Sequence, residues 1–179
     1  MTSSPSHPEE MRHLAEVVRA RSGLMLAENQ AYLVEGRLTP LARRLGLPSL
    51  ADLIVAVRER PDEALLDAVT EAMATNETSF FRDGQPFELL RHAMLPALLT
   101  ARGAVRRLRI WSAAVATGQE AYSILFCLQE FARALEGWQV EVVGTDVSAG
   151  ALERARAGLY THFEVQRGLP VLQLVRHFE

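Results

Sequence analysis

Two short apolar runs, LRIWSAA (108–114) and VEVVGTD (140–146), constrain the fold of this chain more than anything else in it. Each is short for a helix, and the second is rich in the β-branched residues that suit a pleated surface. Roughly Gly118 to Leu135, between them, reads as one helix. A strand, a helix and a second strand in that order build a parallel pair. Both runs read as buried strands. They are the only convincing strands, too few for a complete doubly wound sheet, so the expected sheet is an incomplete one.

The first half of the chain carries helical spacing only. Met11, Leu14, Ala15 and Val18 fall on one helical face, and Val34, Leu38, Leu41 and Leu45 on another. Pro40 lies inside the second set and is expected to kink or split that helix. Ser49 with Asp52 resembles a capping box ahead of Leu50, Leu53, Ile54 and Val57. Pro61 suits a first helical turn ahead of Leu65, Leu66, Val69 and Met73. Residues 8–74 are therefore expected to form a small four-helix domain. Residues 75–107 come next as a connecting motif and a helix that Pro86 opens and Pro96 disturbs. Residues 108–179 hold the two strands, a short helix from Ser148 through Ala157, and a helical C-terminal stretch, GLPVLQLVRHFE.

Hydrophobic residues make up 49% and charged residues 23% of the 179, which is enough apolar material for a packed core. A net charge of -3 argues against nucleic acid as the partner. The single cysteine, Cys127, allows no internal disulfide and fits a reducing compartment. The polar start, MTSSPSHPEE, has no apolar signal region, and no apolar run is long enough to span a membrane. A cytoplasmic location is the expectation. The five histidines, His7, His13, His92, His162 and His177, show no metal-ligand spacing, so no metal is expected.

The turn after the first strand, SAAVATGQEAYS (112–123), places small residues at alternate positions: Ala114, Ala116 and Gly118. Such a turn lets a ligand approach the backbone, and the next helix points its free N–H groups there. Asp146 ends the second strand, where a ribose diol is gripped in a Rossmann-type site. Spacing alone fits equally well an ordinary tight turn with Asp146 capping the next helix. The turn is neither a GxGxxG nor a phosphate loop. Glu120, beside the turn with Gln119, disfavours a pyrophosphate and suits hydroxyls or a positive centre. S-adenosylmethionine has a ribose and a sulfonium.

Four stretches together resemble the bacterial chemotaxis receptor methyltransferases, the CheR type: TNETSFFRD (75–83), IWSAAVATGQEAYSI (110–124), VVGTDVSAGALERARAGLY (142–160) and FEVQRGLP (163–170). The resemblance covers essentially the whole chain. It implies a helical N-terminal domain followed by the first part of a Rossmann-like α/β methyltransferase domain. It also implies an S-adenosylmethionine-dependent protein-glutamate O-methyltransferase that converts receptor glutamates to methyl esters. By this resemblance Asn76, Thr78 and Arg82 face the cofactor and reaction pocket, Glu120 contacts the cofactor and Asp146 holds the adenosine ribose. Phe80 and Phe81 are expected to pack the motif against the core. The sequence departs from the family's pattern at Val115, Ala116, Gln119 and Ala121, where a Ser or Cys, a Glu-Glu pair and a Pro are common. Family members also continue past residue 179, into the remaining strands, Asn-Leu and Asn-Val segments that touch the cofactor, and an active-site tyrosine. A fragment, a split gene product and a degenerate relative all fit that difference.

Methyl transfer from a sulfonium to a carboxylate is a direct displacement, and a glutamate is already ionised at neutral pH. No general base is needed, so alignment and exclusion of water are the tasks. The planar fork of Arg82 suits a carboxylate, either that of the acceptor glutamate or that of the cofactor. Arg37, Arg43 and Arg44 form a basic patch on the second helix. It reads either as a docking face for an acidic receptor segment or as an ordinary solvated face. The alternative to an enzyme is a receptor- or signalling-partner docking module that no longer catalyses. An incomplete sheet also leaves an edge through which two copies could pair.

Overall fold

A computed structural model describes residues 8–179; the polar start of the chain and His7 lie outside them. The chain divides into two compact units, Met1–Thr75 and Asn76–Glu179.

The first unit is helical. Its elements are α1 (Pro8–Ser22), a single 3-10 turn (Glu28–Gln30), α2 (Ala31–Arg44), α3 (Leu50–Glu59) and α4 (Glu63–Met73). One apolar face from each helix meets in a single core: Leu14 and Val18, then Val34, Leu38, Leu41 and Ala42, then Leu53, Ile54 and Val57, then Val69 and Met73. Each fully buried large side chain here contributes about 1.5–3 kcal/mol. Pro40 does not split α2, which continues through it to Arg44. The ring of a helical proline crowds the carbonyl four residues back, which here belongs to Gly36, and buried residues on both sides of Pro40 fasten the two halves to the same core. Ser49 caps α3 by accepting the Asp52 N–H at 3.2 Å, and its hydroxyl donates to the Asp52 carboxylate. At α4 the cap is Asp62, which accepts the Leu65 N–H at 2.7 Å. Pro61 therefore precedes the helix instead of standing in its first turn, because the Asp62 carboxylate takes the N-cap.

The second unit opens with α5 (Gln85–Leu89), one wide π-helical turn (Leu90–Met94) and α6 (Leu95–Ala101). The wide turn, in which the Leu95 N–H reaches the Leu90 carbonyl, lies just ahead of Pro96, which has no N–H to give and whose ring needs room in the preceding turn. Then come β1 (Arg107–Ala113), α7 (Gln119–Glu130), β2 (Gln139–Thr145), α8 (Ala149–Ala157), α9 (His162–Gln166) and α10 (Val171–His177). Helix α7 is shorter than its sequence suggests, ending at Glu130 with turns beyond it. The strands pair in parallel, with Arg107 opposite Gln139 and Ala113 opposite Thr145.

Only one face of this two-stranded sheet is covered. Leu108, Ile110 and Val142 pack with Ile124, Cys127 and Leu128 of α7 and with Phe87, Leu90 and Leu95 of the α5–α6 segment. The other face is open: Arg109 pairs with Glu141 at 3.0 Å, and Trp111 is 69% exposed. The expectation of two buried strands is thus corrected, because among the described residues covering helices lie on one side only. A second cluster joins Phe80, Phe126, Val165 and Leu169 with Tyr122, Tyr160 and Phe178. No described helix is long and apolar enough to cross a membrane.

Candidate functional site

The turn between β1 and α7 is strained, as are Phe81, Asp83 and Arg106 elsewhere in the second unit. Ala114 has φ 57°, Ala116 φ 50° and Gly118 φ 99°. A residue with a Cβ costs about 1–2 kcal/mol in that region, so two alanines there must be held by what surrounds them. The end of β2 supplies one hold. The Val115 N–H donates to the Thr145 carbonyl at 2.9 Å, and the Ala116 N–H donates to Asp146 Oδ2 at 2.8 Å. Asp146 Oδ1 accepts the Ser148 N–H at 2.9 Å, and Ser148 caps α8 by accepting the Ala151 N–H. One carboxylate therefore ties the ends of both strands to the start of the next helix. A carboxylate offers about four acceptor positions. The two unused here leave Asp146 able to take ligand hydroxyls as well.

Glu120 sits in the first turn of α7 and is exposed. The buried Ser112 hydroxyl donates to Glu120 Oε1 at 2.7 Å, which ties the carboxylate to the end of β1. Ala114 is exposed. Gly118 is buried, and the space its absent Cβ leaves is filled by the protein itself: that Cβ would meet the Tyr160 hydroxyl at 2.8 Å and Ala155 at 3.0 Å. Gln119 faces inward, 2% exposed, with the Thr117 hydroxyl donating to its Oε1 at 2.7 Å. A carboxylate oxygen, an open turn and a strand-end Asp suit a ligand with hydroxyls and a positive centre. They repel a pyrophosphate.

The 76–83 segment is anchored on the same turn of α7. The Phe81 N–H donates to the Ser123 hydroxyl at 2.9 Å, and that hydroxyl donates to the Gln119 carbonyl at 2.6 Å. Phe80 is fully buried, edge-on to Tyr160 at 5.0 Å and to Phe178 at 5.7 Å. Phe81 lies edge-on to Phe87 at 5.1 Å, and the Arg91 guanidinium stands 5.3 Å from its ring centre. Both phenylalanines pack as their sequence suggests. Arg82 is exposed and donates to the Glu77 carbonyl at 3.0 Å, leaving most of its fork open. Thr78, Arg82 and Arg167 line a cavity of about 390 Å³. The FEVQRGLP stretch supplies one wall of this cavity: Arg167 pairs with Glu77 at 3.2 Å, and Gly168, at φ 88°, lies so close to the Phe80 carbonyl that a Cβ would be 2.0 Å from it. Asn76 and Thr78 are half-buried.

The sequence reading missed the residues that hold the site: Ser112, Ser123, Thr117 and Tyr160. The Tyr160 hydroxyl donates to the Thr117 carbonyl at 2.7 Å, and burial pushes its pKa well above the ordinary tyrosine value. Forty-three positions separate donor and acceptor, so no local signal marks the pair. Burial likewise raises the Cys127 thiol to about 11, which keeps it an inert core residue. In the helical unit, Arg43 and Arg44 are exposed, whereas Arg37 is half-buried and bonds the carbonyls of Met73 and Ala74 and the Thr75 hydroxyl at 2.9 Å. Its guanidinium terminates α4, and with Arg44 and Glu71 it lines a cavity of about 440 Å³.

Comparison with known families places this geometry. Residues 76–179 match the CheR methyltransferase, SAM binding domain, and residues 9–73 match the CheR methyltransferase, all-alpha domain. The chain belongs to the CheR methyltransferase family. The "Chemotaxis protein methyltransferase 1" of Pseudomonas aeruginosa is 41% identical over 160 residues, which cover 88% of this chain and 58% of that protein. The "Chemotaxis protein methyltransferase" of Vibrio parahaemolyticus is 37% identical over 171 residues, 94% of this chain and 61% of that protein. The Escherichia coli protein of the same name is 32% identical over 168 residues, 93% of this chain and 55% of that protein. The chain thus spans about three-fifths of the length of such relatives. The CheR fold accounts for the helical unit followed by an α/β unit, and its S-adenosylmethionine-binding assignment falls on the unit that carries the strained turn.

Proposed function

We propose that this chain binds S-adenosylmethionine at the 114–118 turn and serves methylation of glutamate side chains on chemoreceptor-like proteins in the cytoplasm. The observation that carries this reading is the pair of carboxylates set around a strained turn at the ends of two parallel strands: Glu120, oriented by Ser112, and Asp146, tied to Ala116. When bound, the cofactor supplies an activated methyl group. The chain's own residues bind, orient and exclude water. Asp146 accepts the ribose hydroxyls with its unused lone pairs. Glu120 faces the cofactor's positive end, Ala114 and Gly118 shape the turn, and Asn76 and Thr78 bind from the 76–83 segment. Arg82 acts as the catalytic residue in the sense of touching a reacting group: its open donors orient a carboxylate, either the acceptor's or the cofactor's. Arg43 and Arg44 offer an acidic receptor segment a docking face on α2, with Arg37 holding the end of α4 behind it.

A second reading rests on the exposed apolar surface of the second unit, Trp111 on the open sheet face and Val171, Leu172 and Val175 on α10. Such surface suits protein contact, so the chain would act as a docking module for a receptor or signalling partner, or pair with another copy along the sheet.

Titration of the chain with S-adenosylhomocysteine by calorimetry separates the two. Saturable binding that Asp146→Ala abolishes supports the methyltransferase reading and calls for a receptor methylation assay; a cooperatively folded chain that binds nothing supports the docking module. In that assay Arg82→Lys is expected to lower turnover at least about tenfold, because an ammonium cannot reproduce the fork. Unchanged turnover removes Arg82 from the mechanism.

A further inference from the structure

Two tyrosines stand edge-on in one aromatic nest, 5.8 Å apart, yet their hydroxyls hold different things. Tyr122 donates to the Ala155 carbonyl inside α8 at 3.1 Å. Tyr160 donates to the Thr117 carbonyl inside the strained turn at 2.7 Å. The chain reaches that position because Gly158, at φ 63°, ends α8 and reverses direction over the Tyr122 hydroxyl, which lies 2.7 Å from where a Cβ would stand. A turn with left-handed residues at 114, 116 and 118 needs restraint on both sides. The end of β2 restrains it at Val115 and Ala116. On the α8 side, the Tyr160 hydroxyl and Ala155 close on Gly118. The same Tyr160 ring meets Phe80 edge-on at 5.0 Å.

We propose that Tyr160 is a positioning residue: its hydroxyl fixes the 114–118 turn in its ligand-accepting shape, and its ring sets that turn against the Phe80 segment, which carries Thr78 and Arg82. The assignment rests on the reading of this turn as the S-adenosylmethionine site. Tyr160 does not touch the cofactor. It acts through the Thr117 carbonyl, which is left without its donor if the hydroxyl is lost.

Tyr160→Phe and Tyr122→Phe, made in the full chain, form a matched pair, since each removes one hydroxyl bonded to one carbonyl. Tyr160→Phe is expected to weaken S-adenosylhomocysteine binding about tenfold in calorimetry, while Tyr122→Phe stays within about twofold. Amide exchange without ligand is expected to quicken at Ala116 and Gly118 in Tyr160→Phe alone. Equal affinities and equal exchange in the two variants overturn the proposal, because a merely structural tyrosine would act on stability in both. If the unmutated chain fails to bind, the cofactor reading falls, and the exchange rates still decide whether Tyr160 holds the turn. Should Tyr160→Phe fail to fold, Gly118→Ala pushes a Cβ into the Tyr160 hydroxyl. It is expected to cost at least the same tenfold, and unchanged binding there also overturns the assignment.

Discussion

The helices of the first unit are capped by neighbours in sequence, whereas the ligand turn of the α/β unit is held by partners far apart. In the first, Ser49 caps through Asp52 and Asp62 through Leu65, three residues away in each case, and one closed core takes a stripe from every helix. In the second, the turn that matters is held by Asp146, 30 residues from Ala116, and by Tyr160, 43 residues from Thr117, while the 76–83 segment hangs on Ser123, 42 residues from Phe81. One sheet face stays open there. A unit built from distant clamps stores strain at its turn and depends on a few contacts to keep it.

The largest effects are expected where each unit keeps its anchor. Phe80 is fully buried among Phe126, Tyr160 and Phe178, so Phe80→Ala should cost about 3–5 kcal/mol in urea denaturation. Leu38→Ala, in the helical core, should cost about 2–5 kcal/mol. The two changes should part in their effect on the ligand: Phe80→Ala should also abolish S-adenosylhomocysteine binding, whereas Leu38→Ala should leave binding by the folded chain unchanged. Equal loss of binding in both would dissolve the contrast between the units.

Next in size is a cap. Asp62→Ala removes the acceptor for the Leu65 N–H, and about 1 kcal/mol of stability should go with it. Smaller still, and of opposite sign, is Gly36→Ala. A Cβ at Gly36 meets nothing within 4 Å, and its helix interior gains from alanine, so thermal unfolding should show a gain of about 0.5–1 kcal/mol. A loss instead would mean that the Pro40 ring needs the room Gly36 leaves.

Legibility in the sequence divides along the same line. The helical periodicity of α1 to α4, the Ser49 cap and the Ser148-capped α8 are all written within a few residues of where they act, and the parallel pairing follows from the order strand, helix, strand. The strand-end Asp146 and Glu120 beside the turn were legible because a strand–turn–helix fixes where its ends lie. Pro61 misled, since proline is at home on either side of an N-cap and only the Asp62 side chain decides which. The burial of the strands misled as well. Apolar runs report that a face can be covered, not that a helix is there to cover it. Tyr160 and Ser123 were invisible because a hydroxyl meeting a carbonyl across the fold leaves no periodic trace. Arg37 looked like a surface cation, and its spacing gave no sign that the carbonyls ending α4 stood within reach.

The smallest expected effect tests a local device inside the distant-clamp unit. Glu164 closes a capping box on α9: the Thr161 N–H donates to its Oε2 at 2.8 Å, the Thr161 hydroxyl does so too, and Arg154 pairs with Oε1 at 2.7 Å. The Thr161 backbone bond, followed by its hydroxyl and Arg154, holds the Glu164 carboxyl below its ordinary range. A folded-state value below the unfolded one means stability that is present above the ordinary carboxylate pKa and lost as pH falls through the folded value. Glu164→Gln should therefore cost about 0.5 kcal/mol at about pH 7, and the difference from the unmutated chain should shrink at an acid pH below the ordinary carboxylate range. Urea midpoints at the two pH values read this directly. A difference that persists in acid would assign Glu164 to packing instead of charge. That would place α9 with the helices of the first unit, fastened by shape and local bonds, although it carries the stretch that lies against Phe80.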